Sequence, residues 1–269
     1  MTGRPAARCA ARCAARIRPV GLRALLPLAL LASLADQSRA QSLPTPQVLA
    51  ARHDSIIGGR AALEAHQSLR LTGSFAIPDM GLDAPIEILK RRPNQYLLRA
   101  NLGPLGEMLS GYDGAVAWTV QPGAGALILE GETATQVRDQ ADFFGDLHDY
   151  SRVAHVETLE PVEFEGRRAY PVRMVRASGD TLTEFFDVST GLSAGSRTAI
   201  RTPLGRIEMT SIVGEYKVFD GLMVATRIEQ RNPQYRMVIV IEKVEFDLLD
   251  ADALAPPESV RAMIKPPQS

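Results

Sequence analysis

Residues 111–150 read GYDGAVAWTVQPGAGALILEGETATQVRDQADFFGDLHDY and combine the two kinds of structure that organise the chain. The first half predicts two short strands joined by a Gly/Pro turn. The second half predicts a helix over 133–144, where Thr133 and Gln136 have capping-box spacing and Gly145 is a C-terminal stop. Because most other segments alternate like strands, we expect this one amphipathic helix to cover the open face of a curved sheet.

The first forty residues predict a secretory signal peptide. Arginines precede the apolar run 24–35, and the small residues Ser38 and Ala40 on either side of Arg39 suit a cleavage site. The run is too short to cross a bilayer, which takes about 20 residues. We therefore expect 1–40 to be removed and 41–269 to be a single soluble domain in the periplasm. A retained N-terminal anchor is the alternative.

Composition argues against two other classes of protein. Both cysteines, Cys9 and Cys13, lie within 1–40, so the predicted domain has neither a disulfide nor the acylated cysteine of a lipoprotein. Residues 1–40 also contain seven Arg and one Asp, so the formal charge of 41–269 is −7 rather than −1. An acidic domain with scattered arginines is not expected to bind nucleic acid.

Most of the chain after residue 68 predicts antiparallel strands. Apolar and polar residues alternate from Leu69 onward, and turn signals such as Asp220-Gly221 separate the segments. Within segment 235–246, residues 237–241 (MVIVI) are apolar on both sides, so both faces of that strand need cover. With two helical pieces near the N-terminus, the pattern predicts a mainly β fold. We expect an antiparallel sheet of about ten strands that curls towards a barrel, with N-terminal helices and a helical lid over an apolar cavity.

Several short motifs occur in the order typical of one family. Gly58-Gly59 follows a helix, and 69–73 (LRLTG) opens the sheet. Further along lie 112–114 (YDG) with Trp118, 141–143 (ADF), Gly166 with 170–172 (YPV), 185–187 (FFD) and 190–192 (TGL). In this order they resemble a diverged member of the outer-membrane lipoprotein-sorting superfamily, the LolA/LolB-like periplasmic carriers, over nearly all of 41–269.

The resemblance implies an unclosed barrel whose helical lid encloses an apolar cavity for acyl chains, and it implies no catalytic residue and no cofactor. In the carriers an arginine on an early strand holds the lid shut, and Arg70, Arg91 and Arg99 are the candidates here. In the membrane-anchored receptors an apolar loop probes the membrane. Segment 80–82 (MGL) is either its analogue or a plain hairpin connection.

Two polar patterns could indicate catalysis or metal binding. Residues 191–195 (GLSAG) match the serine-hydrolase elbow, but no histidine lies downstream of Ser193 and a hairpin turn replaces the strand–turn–helix context. Segment 146–149 (DLHD) could ligate a metal, but no second His cluster has zinc spacing, so a solvated loop is expected there. His53 is expected to be a hydrogen-bonded core residue. The sequence therefore predicts no catalytic residue and no metal.

The remaining signal is an apolar set that could line one interior: Phe75, Ile88, Leu98, Trp118, Val137, Phe143, Phe144, Tyr170, Met174, Phe185 and Met209. These residues could also simply fill a core. An alkyl chain is bound by burial alone, at about 0.8 kcal/mol per CH₂, so its site needs no polar motif.

We therefore predict a monomeric, non-enzymatic carrier of acyl chains of lipids or lipoproteins, with Trp118 near the lid so that ligand changes its fluorescence. The alternative is an interaction module of the same fold that binds a membrane protein and senses envelope stress.

Overall fold

The computed structural model describes residues 42–145, 147–175, 181–202 and 205–264, so the predicted signal peptide lies outside it. The α-helices are α1 (Pro46–Ile56), α2 (Gly59–Glu64), α3 (Gly131–Ala141) and α4 (Glu258–Arg261). The strands are β1 (Ser68–Ile77), β2 (Leu82–Arg91), β3 (Gln95–Asn101), β4 (Glu107–Tyr112), β5 (Ala117–Gln121), β6 (Gly125–Ile128), β7 (His155–Thr158), β8 (Val162–Phe164), β9 (Arg167–Val175), β10 (Thr181–Asp187), β11 (Ser193–Thr202), β12 (Gly205–Phe219), β13 (Leu222–Arg231) and β14 (Arg236–Phe246). Three 3₁₀ helices are η1 (Pro78–Met80), η2 (Gly103–Leu105) and η3 (Tyr150–Arg152). Among the helices of these ranges, none is both long and apolar enough to cross a bilayer.

All of these strands belong to one antiparallel sheet. Its order is β6-β5-β4-β3-β2-β1-β14-β13-β12-β11-β10-β9-β7, and β8 pairs with β9 beside this path. Strands β6 and β7 are the two edges, so the sheet is an unclosed barrel and the predicted fold class is confirmed. The estimate of about ten strands was too low. It missed β7, which is too short for alternation to show, and β4, which a glycine weakens.

Local sequence signals set several boundaries as predicted. Thr45 caps α1 by accepting a hydrogen bond from the backbone N–H of Val48 at 3.3 Å, and Pro46 opens the helix. Asp220 and Gly221 both have positive φ, 46° and 80°, as a type I′ hairpin requires. The β12–β13 hairpin is therefore confirmed.

The predicted boundaries of α3 were wrong at both ends. The helix begins after Glu130, and Thr133 lies in its first turn with its hydroxyl donating to the Glu130 carbonyl at 2.9 Å, so the capping box does not form. It ends at Ala141, because the Asp142 side chain accepts from the backbone N–H of Phe144 at 2.9 Å and competes with further helix. Phe143 and Phe144 consequently lie in a loop after the helix.

Three helices pack on the same face of the sheet, which we call the inner face. Val137 and Ala141 of α3 are buried against Tyr96, Tyr112 and Ala117 of β3, β4 and β5. At the other end of the sheet, Leu49 of α1 packs on Val172 of β9 and Phe186 of β10. Between them, Leu63 of α2 packs with Leu222, Leu69 and Phe246, at the ends of β13, β1 and β14.

The C-terminal segment covers the part of the opposite, outer face that β2, β3 and β5 form. Leu254 and Val260 are buried against Leu89, Leu97 and Trp118. Along their strands these three sheet residues alternate with the inner-face residues on the side of α3, so they belong to the outer face. A Cβ at Gly111, the cross-strand neighbour of Trp118, would lie 2.4 Å from the indole ring. Only glycine leaves room there for the tryptophan.

Candidate functional site

The inner face continues beyond the helices as an apolar surface. Phe75, Ile239, Ile228 and Val213 stand opposite one another across β1, β14, β13 and β12, and Met209 lies on the same face of β12. We call these five residues the apolar trough. All but Phe75 are only half-buried, so their alkyl groups remain accessible to solvent.

The trough is bounded on two sides by further apolar residues. Ile88 and Leu98 stand in register with Leu71 between the trough and α3. On the other side, Met209 leads through Thr198 to Leu182 and then Met174 across β12, β11, β10 and β9. Apolar residues therefore follow the inner face across most of the sheet, with Thr198 as a polar interruption.

Helices and loops occupy opposite ends of this inner face. Helix α2 and the loop after α3 pack where β1 begins, at Leu69. The far end of the strands carries η1 and η2, where Met80 and Leu105 are each 66% exposed. Segment 80–82 is thus a hairpin connection between β1 and β2 whose methionine projects into solvent.

Six of the predicted site residues lie on the inner face, namely Phe75, Ile88, Leu98, Tyr170, Met174 and Met209. Val137 faces the sheet from α3. Phe143 packs with Leu63 of α2, and Phe144 lies beneath the guanidinium groups of Arg60 and Arg92, 5.0 and 5.1 Å from its ring centroid. The two phenylalanines therefore fasten the loop after α3 to neighbouring elements.

Two predicted site residues lie on the wrong face. Trp118 faces the C-terminal segment, as its neighbours Tyr112 and Ala117 take the positions beneath α3. Phe185 faces outward too, stacked on Phe164 of β8 with ring centroids 3.9 Å apart. The prediction that these two residues lie near a lid or cavity is therefore corrected. Their positions along β5 and β10 put both side chains on the face of the sheet that points away from α1, α2 and α3.

This correction changes what Trp118 fluorescence should report. The only tryptophan is 1% exposed on the outer face, so titration with lipid is expected to leave its emission unchanged. Val260→Asp should shift the emission to longer wavelength, because it disrupts the packing that covers the indole. A lipid-dependent shift in the unaltered protein would show that the ligand reaches the outer face.

The candidate latch arginines also lie on the outer face. The side chains of Arg70 and Arg99 both pair with Glu87, at 3.1 and 2.8 Å, and the Arg91 guanidinium donates to the Ala251 carbonyl of the C-terminal segment at 2.9 Å. None of the three can hold α3 shut. On the inner face, the Lys90 ammonium donates to the Asp142 carbonyl at the end of α3, at 3.3 Å.

A polar cluster fastens the loop after α3 to α1. His148 Nδ1 lies 2.7 Å from Asp54 Oδ1, and His148 Nε2 lies 2.8 Å from Glu184 Oε2 of β10. His53 Nδ1 lies 3.3 Å from the same oxygen of Asp54. We call His53, Asp54, His148 and Glu184 the His148 cluster. The expectation of a solvated loop is wrong for His148, whose side chain is only 12% exposed, whereas His53 is the hydrogen-bonded core residue that was predicted.

The charges in the cluster support one another. Burial alone lowers the pKa of His148, but the hydrogen bonds and charges of Glu184 and Asp54 outweigh it and raise the pKa to about 9. Burial alone raises the pKa of Glu184, but its bond with His148 holds that pKa below the ordinary value. Burial, together with the nearby charge of His148, lowers the pKa of His53. The cluster is thus an imidazolium between two carboxylates, with a neutral histidine beside it.

We expect a pH-dependent stability of the metal-free protein from His148. Its pKa is raised from 6.5 to about 9 on folding, so its stabilisation is complete below pH 6.5 and is lost as the pH rises through 9. The loss should reach roughly 3 kcal/mol. Urea unfolding at pH 6.5 and at pH 9, with chelator present, measures this loss of unfolding free energy. The His148→Gln variant should have the same unfolding free energy at both pH values. An equal loss in the variant and the unaltered protein would show that His148 is not its source.

A cavity of about 430 Å³ opens beside the cluster. Asp54, His148, Tyr150, Ala50 and Ser151 are among the residues that line it. The buried hydroxyl of Tyr150 has no hydrogen-bond partner in the described part of the chain, and burial together with the nearby Glu184 and Asp54 charges raises its pKa. Sequence reasoning missed this site because Asp54, His148 and Glu184 are far apart in the chain.

No family model matches the sequence, and no curated protein matches it. A DUF1329 family protein from Desulfovibrio piger has a TM-score of 0.54 at 13% identity, over 76% of this chain and 93% of its own.

Two further solved structures have a similar fold. A LolA superfamily protein from Nitrosomonas europaea has a TM-score of 0.53 at 12% identity, over 80% of this chain and 99% of its own. An outer-membrane lipoprotein-sorting protein domain from Vibrio parahaemolyticus has a TM-score of 0.52 at 12% identity, over 77% of this chain and 97% of its own. The fold that the resemblance implied is thus confirmed: this chain has the fold of LolA superfamily proteins, at 12% identity to the two structures.

Proposed function

We propose that this chain is a periplasmic, non-enzymatic carrier that binds acyl chains of lipids or lipoproteins on its inner face. The observation that supports the proposal is the apolar trough. Its half-buried isoleucine, valine and methionine side chains form a continuous surface on the face that carries the helices. Soluble proteins seldom leave such a surface open without a ligand or partner for it.

The dimensions of the trough suit an extended alkyl chain. Its main row crosses four neighbouring strands, which at about 4.8 Å per strand gives a length of roughly 14 Å. Each methylene group buried there contributes about 0.8 kcal/mol, so a dozen of them supply about 10 kcal/mol and, after an association cost of at least about 4 kcal/mol, a dissociation constant of roughly 0.1 mM. Shape and apolar contact are sufficient, and no catalytic group is needed.

Helix α3 is the element that we propose moves when ligand enters. Its buried contacts come from small side chains, Val137, Ala141 and Ala134, and most of its other side chains are exposed. Beside its N-terminal half lies a cavity of about 420 Å³, lined by Ala134 and Thr135 together with Tyr112 and Leu129. Displacement of α3 would extend the trough to Tyr96 and Tyr112.

A matched pair of variants on β14 tests the proposal. Ile239→Glu places a carboxylate in the trough, whereas Val240→Glu places it one residue along on the outer face, opposite Arg227. Burying a charge against an alkyl chain costs several kcal/mol, so we expect Ile239→Glu to weaken binding of a fluorescent fatty acid at least 30-fold. Val240→Glu should bind normally.

Two results would contradict the carrier function. One is saturable fatty-acid binding that both variants retain, and the other is no saturable binding by the unaltered protein. If the unaltered protein binds no lipid, capture of a membrane protein by both variants would support the interaction module instead.

A further inference from the structure

We propose that His53, Asp54 and His148 bind a divalent transition-metal ion, best matched by Zn²⁺, at the wall of the cavity beside α1. The site is separate from the apolar trough and does not depend on the carrier function. It joins the last turn of α1, which carries His53 and Asp54, to the loop after α3, which carries His148.

The donor atoms are already close together. One ring nitrogen from each histidine and one carboxylate oxygen of Asp54 all lie within 4.8 Å of one another. In a four-coordinate tetrahedral site with bonds of about 2.0–2.1 Å, two ligand atoms lie about 3.4 Å apart. A pair of donors at the 4.8 Å limit therefore needs to close by about 1.4 Å, which side-chain rotations can supply. Imidazole nitrogen and carboxylate oxygen are the donors that Zn²⁺ commonly takes.

Glu184 supplies the outer partner that metal-binding histidines normally have. Its Oε2 accepts from His148 Nε2 at 2.8 Å, which leaves Nδ1, hydrogen-bonded to Asp54 at 2.7 Å, as the ligating atom once the ion replaces that hydrogen bond. A carboxylate on the far nitrogen fixes the tautomer and orientation of a metal-binding imidazole. His53 is buried beside the same oxygen of Asp54, at 3.3 Å, so its ring is held next to the proposed ion.

The charges around the ion would also balance. Asp54 would be a ligand, and Oε2 of Glu184 lies 2.8 Å from His148 Nε2. A proton carried by His148 Nδ1 leaves to solvent when the ion binds that atom. Two carboxylates and one dication sum to zero, so no uncompensated charge is left buried.

The cavity offers an entry path and a fourth coordination position. Asp54 and His148 form part of its wall, with Tyr150 and Ser151 beside them. Its volume of about 430 Å³ leaves room for a water molecule on the exposed side of the ion. Three protein ligands and one open position is an arrangement that four-coordinate zinc adopts.

Titration of the chelator-treated full chain with ZnCl₂ tests the site. The chain should carry Cys9→Ser and Cys13→Ser, so that no thiol competes for the metal. Calorimetry should show one Zn²⁺ per chain, with release of about one proton when buffers of different ionisation enthalpy are compared. His53→Gln and Asp54→Asn should each weaken binding at least tenfold, and Glu184→Gln between 10- and 100-fold. The matched control His155→Gln should leave the affinity unchanged, since His155 is 61% exposed on the outer face of β7, where it lies 3.7 Å from Glu157.

A second test uses absorption spectroscopy on the protein with an unaltered His148 cluster, so its result does not depend on whether a variant folds. CoCl₂ should produce the visible absorption bands of four-coordinate Co²⁺, and ZnCl₂ should abolish them. Absence of these bands, absence of a 1:1 zinc isotherm, or zinc binding that survives His53→Gln and Asp54→Asn would each overturn the proposal.

Discussion

The His148→Ala variant is expected to lose about 3–5 kcal/mol of unfolding free energy in metal-free buffer. The imidazolium is held between Asp54 and Glu184 by bonds of 2.7 and 2.8 Å, and both carboxylates are mostly buried, with 22% and 17% of their side chains exposed. Removing the cation leaves two like charges facing each other without a partner. Urea denaturation followed by circular dichroism at pH 6.5 measures the loss.

His155→Ala is the matched control for this loss. Its imidazole is 61% exposed and lies 3.7 Å from Glu157, a geometry that contributes little to stability, so the unfolding free energy should change by less than about 0.5 kcal/mol. If His148→Ala is as stable as His155→Ala, the cluster does not fasten the loop after α3 to α1. Helix α3 would then depend on its own small apolar contacts.

The Trp118→Ala variant is expected to lose a similar amount, about 3–5 kcal/mol. The indole is 1% exposed and joins Leu89 and Leu97 of the sheet to Leu254 and Val260 of the C-terminal segment. Because Gly111 has no side chain to fill the vacated space, the cavity can collapse only partly. Thermal and urea unfolding measure the effect, and fatty-acid binding should be unchanged because the substitution is on the outer face.

Leu127→Ala on the neighbouring strand β6 is the control for Trp118→Ala. Leu127 is 47% exposed, so its truncation should cost less than about 1 kcal/mol. A loss of fatty-acid affinity in Trp118→Ala, at a temperature where the variant is folded, would contradict the assignment of the two faces of the sheet.

Much of the fold could be predicted because its signals are local. The cap at Thr45, the Asp220-Gly221 hairpin and the two-residue alternation each depend on a few neighbouring residues. The pairing of β1 with β14, which joins the first strand to the last, could not be predicted because no local signal specifies a contact between such distant segments. The end of α3 was missed because an Asp142 side chain, rather than Gly145, terminates it.

The candidate sites were harder to predict, for two physical reasons. Alternation separates the residues of a strand into two faces but does not say which face meets the helices, so Trp118 and Phe185 were placed with the wrong set. The His148 cluster combines residues from α1, β10 and a loop, and neighbouring sequence carries no sign that they meet. Phe75 and Met209 lie on the inner face, and their contact with a ligand stays a prediction.

Photo-crosslinking with a diazirine-bearing fatty acid tests the central claim most directly, since it records where an acyl chain lies. If the inner face binds the chain, saturable labels should fall on trough residues such as Ile228, Ile239 and Met209, and Ile239→Glu should abolish them. Labels confined to outer-face residues such as Val240, or labelling that unlabelled fatty acid cannot compete away, would contradict the account.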